Sequence, residues 1–175
     1  AARILRQEGH RLGYSQNFTI YDTDDTKRIV KRILDDMGVG SNSYTVSPPQ
    51  ILWEIDRAKN RGESARAYAQ NEQRFSPAAK LTRAVYPKYQ NALKRADAMD
   101  FGDLLILARE LLAHHPEAAR RYRERFQYLM VDEFQDTNSV QYDLLKLLAK
   151  DHQNLAVVGD DDRLARGRGE EHPGV

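Results

Sequence analysis

Asp132 and Glu133 stand directly behind a continuous apolar run, Tyr128 to Val131, and Asp136 lies three residues beyond Glu133. A second apolar run, Leu155 to Val158, also ends in acids, Gly159-Asp160-Asp161-Asp162. Carboxylates this close repel one another unless a cation or water separates them. With neither His nor Cys beside them, their hard oxygens suit Mg²⁺, which keeps several waters and is usually completed by substrate phosphates. The chemistry these residue types favour is phosphoryl transfer. An isolated Asp-Glu pair is more often a solvated turn, so its surroundings have to carry the assignment. Asp136 and Thr137 taken alone read as a helix cap and a first-turn charge.

Those surroundings are specific. Tyr128 to Val131 has no helical period and reads as a strand buried on both faces of a parallel sheet. Thr137-Asn138-Ser139 then opens an amphipathic helix with Val140, Leu144, Leu147 and Leu148 on one side, and Leu155 to Val158 reads as the next strand. Strand, helix and strand at this spacing make a βαβ unit. Ligands of open parallel sheets bind outside the carboxyl ends of the strands, so Asp132-Glu133 and Asp160 to Asp162 are expected to converge on one crevice.

Upstream the texture is helical. Thr23 is placed to cap a helix carrying Ile29, Val30, Ile33, Leu34 and Met37, stopped by Gly38. Ser47-Pro48 opens a second, with Ile51, Leu52, Ile55 and Ala58 inward and Gly62 at its end. Ser76-Pro77 opens a third through Leu81, Val85, Tyr89 and Leu93, in which Pro87 predicts a kink or break near Tyr86. Asp100 caps a fourth through Phe101, Leu104, Leu105, Ala108 and Leu112, and Pro116 starts a fifth that runs to about Arg125. The expected fold is mainly α, with a partial α/β unit built on a parallel sheet at the C-terminal end.

Composition narrows the classes. The chain has 175 residues, of which 41% are hydrophobic and 30% charged, enough for one ordinary soluble domain and part of a second. Its 27 Lys and Arg against 26 Asp and Glu leave a net charge of +1, so any nucleic-acid site has to be a local patch. The lack of Cys excludes disulfide frameworks, thiolate zinc sites and cysteine nucleophiles. Without an apolar run of spanning length or a signal-like start, the expected location is the cytoplasm.

The string VDEFQDTNSVQYDLLKLL followed by NLAVVGDDD resembles the Walker B motif and the start of motif III of UvrD/Rep/PcrA-type superfamily 1 DNA helicases. The resemblance extends through ARILR near the N-terminus, NFTIYDTDD at Asn17 to Asp25 and MDFGDLL at Met99 to Leu105, covering nearly all of Ala1 to Asp162. It implies an ATP-dependent motor moving 3′ to 5′ on single-stranded DNA, acting at duplex junctions in repair or replication, with ATP and Mg²⁺ as cofactors. Position by position, Asp132 looks like the metal-holding Walker B aspartate. Glu133 looks like the general base, itself near the metal through a water. Asp160 looks like the motif III acid that, with Asp132, belongs to the cofactor site and links it to the DNA track. The resemblance divides the chain into a helix leading out of the RecA-like subdomain 1A (residues 1–16) and a helical insertion like subdomain 1B (17–99). A returning part of 1A follows (100–162), and then a tail (163–175).

No G-x-x-x-x-G-K-[ST] occurs in the sequence, so the triphosphate cradle is not among these residues. The chain alone is therefore expected to be inactive, a non-catalytic DNA- or partner-binding module or a truncated product being the alternatives to a working motor. After Asp162 the sequence RLARGRGEEHPGV departs from the family pattern, and a change of reading frame at about Arg163 with a disordered basic tail is expected. Among other residues, Trp53 is read as packing, and His114-His115 as charges at a helix end. Ala119 to Phe126 is read as a solvated face, and Lys59, Arg61 and Arg66 as candidates for a DNA-facing surface.

Overall fold

Side-chain caps set where the helices begin. The computed structural model describes residues 1–39 and 46–159. Following α1 (Ala2–Glu8) and a tight turn at Gly9–Leu12, the short strand β1 (Thr19–Ile20) leads into α2 (Thr23–Asp36). Asp22 caps α2, accepting from the N–H groups of Asp24 (2.8 Å) and Asp25 (2.9 Å), while the Asp25 carboxylate accepts from the Asp22 N–H. The cap thus falls one residue before the expected Thr23, because a carboxylate takes two N–H groups where one hydroxyl oxygen competes poorly.

The later helices start where the sequence places them. α3 (Pro48–Asn60) opens at Ser47, whose N–H donates to Gln50 (2.7 Å), and α5 (Pro77–Arg95) at Ser76. α6 (Phe101–His114) begins at Asp100, α7 (Pro116–Arg125) at Pro116 and α8 (Ser139–Ala149) at Asn138. A further short helix, α4 (Ala65–Gln70), is capped by Ser64 and is too brief to show a period in the sequence. Gly38 and Gly62, both at φ +71°, turn the chain out of α2 and α3. Of the kink or break expected at Pro87, a break is not found: α5 continues through it as one helix. An interior proline costs roughly 3 kcal/mol, and burial of Val85, Tyr86, Tyr89 and Leu93 along the same helix outweighs that.

Two small parallel ribbons organise the chain. β1 pairs with β2 (Ala98–Met99), Thr19 opposite Ala98 and Ile20 opposite Met99, so the helical segment between them leaves and returns at adjacent positions. β3 (Leu129–Val131) pairs with β4 (Leu155–Val157) in parallel, Leu129 opposite Leu155 and Val131 opposite Val157, with α8 as the crossover. The fold is mainly α with a partial α/β unit, as the sequence implies. One core lies among α2, α3 and α5 (Val30, Leu34, Ile51, Ile55, Tyr86), the other among α1, α6, α7 and α8 (Leu5, Ala108, Leu111, Tyr122, Leu148). The β3–β4 strands are not buried on both faces as expected. Leu129 packs on the second core, but on the opposite face Met130 is 78% exposed, because no layer among the described residues covers that side, and Val157, on the Leu129 face, is still 51% exposed.

Candidate active site

The acidic pair sits on a turn with little slack. At the end of β3 the Val131 carbonyl accepts from the Val158 N–H (2.8 Å), and the Phe134 N–H donates to the Val158 carbonyl (2.9 Å). Asp132 and Glu133 are held between these two backbone bonds. Glu133 adopts φ +53° and ψ +46°, a left-handed conformation that costs a residue with a Cβ about 1 kcal/mol or more. The Asp132 carboxylate accepts from the Glu133 N–H through Oδ1 (2.9 Å). A single 3₁₀ turn, Phe134–Asp136, then closes with bonds from Asp136 N–H to the Glu133 carbonyl (2.9 Å) and from Thr137 N–H to the Phe134 carbonyl (3.0 Å).

Both carboxylates are exposed and border an open cleft of about 500 Å³ with Val131, Thr137, Gln141 and Leu144. Among the described residues no cluster of three or more His, Asp or Glu could cage a metal. A pair of hard carboxylates at the rim of an open cleft instead suits a hydrated Mg²⁺ that shares its ligands with phosphates. Asp160 to Asp162, expected to complete the crevice, lie outside the described residues, as does the tail from Arg163. Asn138 caps α8, accepting from the Gln141 N–H (2.9 Å), so the helix-cap role expected of Asp136 and Thr137 falls to Asn138 and these two belong to the preceding turn.

A second cluster overturns the surface role expected of Lys59. Its ammonium is buried and donates to Asp100 Oδ2 (2.6 Å) and Asp103 Oδ1 (2.7 Å). The Tyr89 hydroxyl donates to Asp100 (2.8 Å) and the Gln90 amide to Asp103 (2.9 Å), so one cation binds α3, α5 and the start of α6 together. Burial pushes both carboxyls up. At Asp100 the Lys59 ammonium and the hydrogen bonds from the Asp103 N–H and Tyr89 win, and its pKa falls below the usual value. At Asp103 burial wins, aided by the Asp100 charge, and the pKa rises. Gly102 allows this approach, since a Cβ there would come within 2.8 Å of Lys59 Cδ.

Trp53, expected in the packing, is 57% exposed with the Arg57 guanidinium 4.5 Å over its ring, because it points away from the Ile51 and Ile55 stripe. Phe101 is 65% exposed at the first turn of α6, and it borders a small cleft of about 170 Å³ with Tyr21, Leu52, Asp56 and Lys59. Arg61 and Arg66 are exposed. His114 closes the end of α6 against the Glu110 carbonyl (3.0 Å), as a helix-end residue should. The Ala119 to Phe126 face is more than solvated: Arg121 pairs with the buried Glu8, and the Tyr122 hydroxyl donates to Gln7 (2.8 Å), docking α7 on α1.

The pattern that defines the UvrD/REP helicase N-terminal domain matches residues 1–164. The chain belongs to this family. Among its relatives, the protein named ATP-dependent DNA helicase PcrA of Leuconostoc citreum is 41% identical over 167 residues, 95% of this chain. The PcrA helicases of Staphylococcus aureus (strain Mu50 / ATCC 700699) and Staphylococcus epidermidis are 39% and 37% identical over 165 residues, 94% of this chain. The chain spans 22% of the length of each of these relatives.

Within this UvrD/REP helicase domain the acidic pair at the strand end is legible in the sequence, whereas the buried Lys59 cluster is not. A lysine at the penultimate position of a helix looks like a surface residue. The signal that could have found it was Asp100 and Asp103 flanking Gly102, two acids one turn apart with a residue between them that leaves room for a side chain.

Proposed function

We propose that the chain contributes the hydrolytic acids and part of the DNA-facing surface of an ATP-dependent helicase that moves 3′ to 5′ on single-stranded DNA and acts at duplex junctions. The observation that carries this is the pair Asp132-Glu133 at the carboxyl end of a parallel strand, with Glu133 held in a left-handed conformation, inside a chain of the UvrD/REP helicase family. The relatives' name, ATP-dependent DNA helicase PcrA, supports the choice of substrate and partner.

In this reading Asp132 holds Mg²⁺, and Asp160 belongs to the same cofactor site. The metal, when bound with the substrate phosphates, neutralises charge developing on the transferred phosphoryl group. Glu133 orients water for in-line attack and accepts its proton, a contribution typically of about 10²–10⁴-fold. The exposed rings of Phe101 and Trp53 offer faces on which bases can stack, each worth about 1–3 kcal/mol. Residues 17–99 form a 1B-like insertion in a 1A-like core of residues 1–16 and 100–162, supported by the paired exit and return at β1 and β2. Residues 163–175 form a departing tail, in keeping with a family match that ends at residue 164.

The test is Glu133→Gln in a helicase of the relatives' length that carries this chain. ATP binding is retained while single-turnover hydrolysis falls by about 10²-fold or more. Asp132→Ala in the same protein shifts the Mg²⁺ titration to higher concentration. Unchanged hydrolysis in the first variant defeats the role of Glu133, and superimposable Mg²⁺ titrations defeat that of Asp132.

A further inference from the structure

The C-terminal turn of α3 touches the acidic turn's far anchor. Asn138, the cap of α8, spends its side-chain oxygen on the Gln141 N–H (2.9 Å), which turns its amide nitrogen outward to donate to Asn60 Oδ1 (2.9 Å). Beside it the Ser139 hydroxyl donates to the Asn60 backbone carbonyl (2.8 Å), one of the carbonyls that a helix end leaves without an internal partner. The Asn60 amide nitrogen in turn donates to Asp56 Oδ2 (3.0 Å). An ionised carboxylate only accepts, so Asp56 dictates which way the Asn60 amide faces, and the chain of bonds has a single direction from Gln141 to Asp56.

We propose that Asn60 is a positioning residue for hydrolysis: through Asn138 it fixes the start of α8 and hence the turn that carries Asp132 and Glu133, with Asp56 setting the polarity of the contact. This rests on the assignment of Glu133 as base. The mechanical argument is the shortness of the link. Between Glu133 and Asn138 the backbone is closed by two turn bonds, and before Glu133 it is tied to the β4 extension, so a displaced α8 start has no slack to absorb it before Glu133. Just past α3, Gly62 also lies close to the start of α8, where an added Cβ would be 3.4 Å from Val140 Cγ2. Asp56 borders the same cleft as Phe101, so the relay starts on the face offered to DNA.

The experiment uses a helicase of the relatives' length that carries this chain, with ATP hydrolysis followed in the presence of single-stranded DNA. Asn60→Ala lowers kcat by about 3- to 10-fold, the worth of one partly buried hydrogen bond, and leaves KM for ATP within about twofold. Asn60→Asp lowers kcat as well, since it sets two carboxylates against each other. The exchange Asp56→Asn with Asn60→Asp recovers most of the loss, because the residue at 56 now donates and the one at 60 accepts from both sides. Such recovery ties the loss to this hydrogen bond rather than to the size of residue 60, and the unchanged KM ties it to hydrolysis rather than to general loosening. Wild-type kcat in Asn60→Ala, or an exchange variant no faster than Asn60→Asp, overturns the proposal. On the chain by itself, amide hydrogen exchange at Asp136 and Gln141 is faster in Asn60→Ala than in the unaltered chain while Leu111 in the core is unchanged; equal exchange at Asp136 and Gln141 also overturns it. Glu133→Gln in the same helicase separates the two claims. If it turns over normally, the base assignment fails; if it is inactive while Asn60→Ala is fully active, only the relay fails.

Discussion

Lys59 lies between two carboxylates in a largely buried site at the edge of the small cleft, and the arrangement has a sharp asymmetry. Removing the cation leaves Asp100 and Asp103 facing each other unneutralised, whereas replacing the whole group by neutral side chains removes the conflict. Lys59→Met is therefore expected to destabilise the chain by about 3–5 kcal/mol in urea unfolding. Adding Asp103→Asn to Lys59→Met restores a good part of that. Asp103 is the better choice for the second change because burial already raises its pKa, while Asp100 also caps α6 through the Asp103 N–H (2.8 Å). A Lys59→Met chain as stable as the original would show that the ammonium contributes nothing to holding α3, α5 and α6 together.

At the scale of elements, the caps make stability depend on acid. Asp22 holds the first turn of α2, and the Asp25 N–H beside its carboxylate, with the Asp24 N–H and the Arg28 charge, keeps its pKa below the usual 3.8. A carboxylate whose pKa is lower in the folded than in the unfolded chain stabilises the fold above the unfolded value, and that contribution is lost as pH falls through the folded value. Asn is as good a cap as Asp but does not titrate. The melting temperature of the unaltered chain should therefore drop more steeply below about pH 4 than that of Asp22→Asn, with the two curves running parallel at neutral pH. Parallel curves throughout would remove Asp22 from the acid response. Pro87 marks the opposite limit: a local rule forecasts a kink or break, and α5, with its buried face, runs through the proline without a break.

At the scale of the whole molecule, the described residues form two cores and an incompletely covered sheet, and the proposed nucleotide chemistry is equally partial. Asp132 and Glu133 place negative charge where a triphosphate would have to sit, and no phosphate-cradling G-x-x-x-x-G-K-[ST] accompanies them in this sequence. Titration calorimetry on the chain alone is expected to give no Mg-ATP binding in the micromolar range. A micromolar isotherm would mean that the described cleft binds nucleotide by other groups, and would favour an autonomous activity for this chain. No helix among the described residues is long and apolar enough to cross a membrane.

Periodicity, caps and spacing by themselves determined the helices from α2 onward, apart from α4, as well as the βαβ unit and the acidic pair at its strand end. Each of these depends on local chemistry: a cap meets N–H groups two or three residues away, and an apolar run declares its own burial. The β1–β2 pairing joins residues almost eighty positions apart through backbone groups that leave no mark on side-chain pattern. Lys59, Trp53 and Asn60 show the same divide within one helix, three polar or amphipathic residues whose roles a helical wheel cannot rank. Only the packing of α3 against α6 buried Lys59, and only its packing against α8 brought Asn60 to the cap of that helix. Contacts between elements are decided by which faces meet, and that is a property of the assembled core rather than of any stretch of sequence.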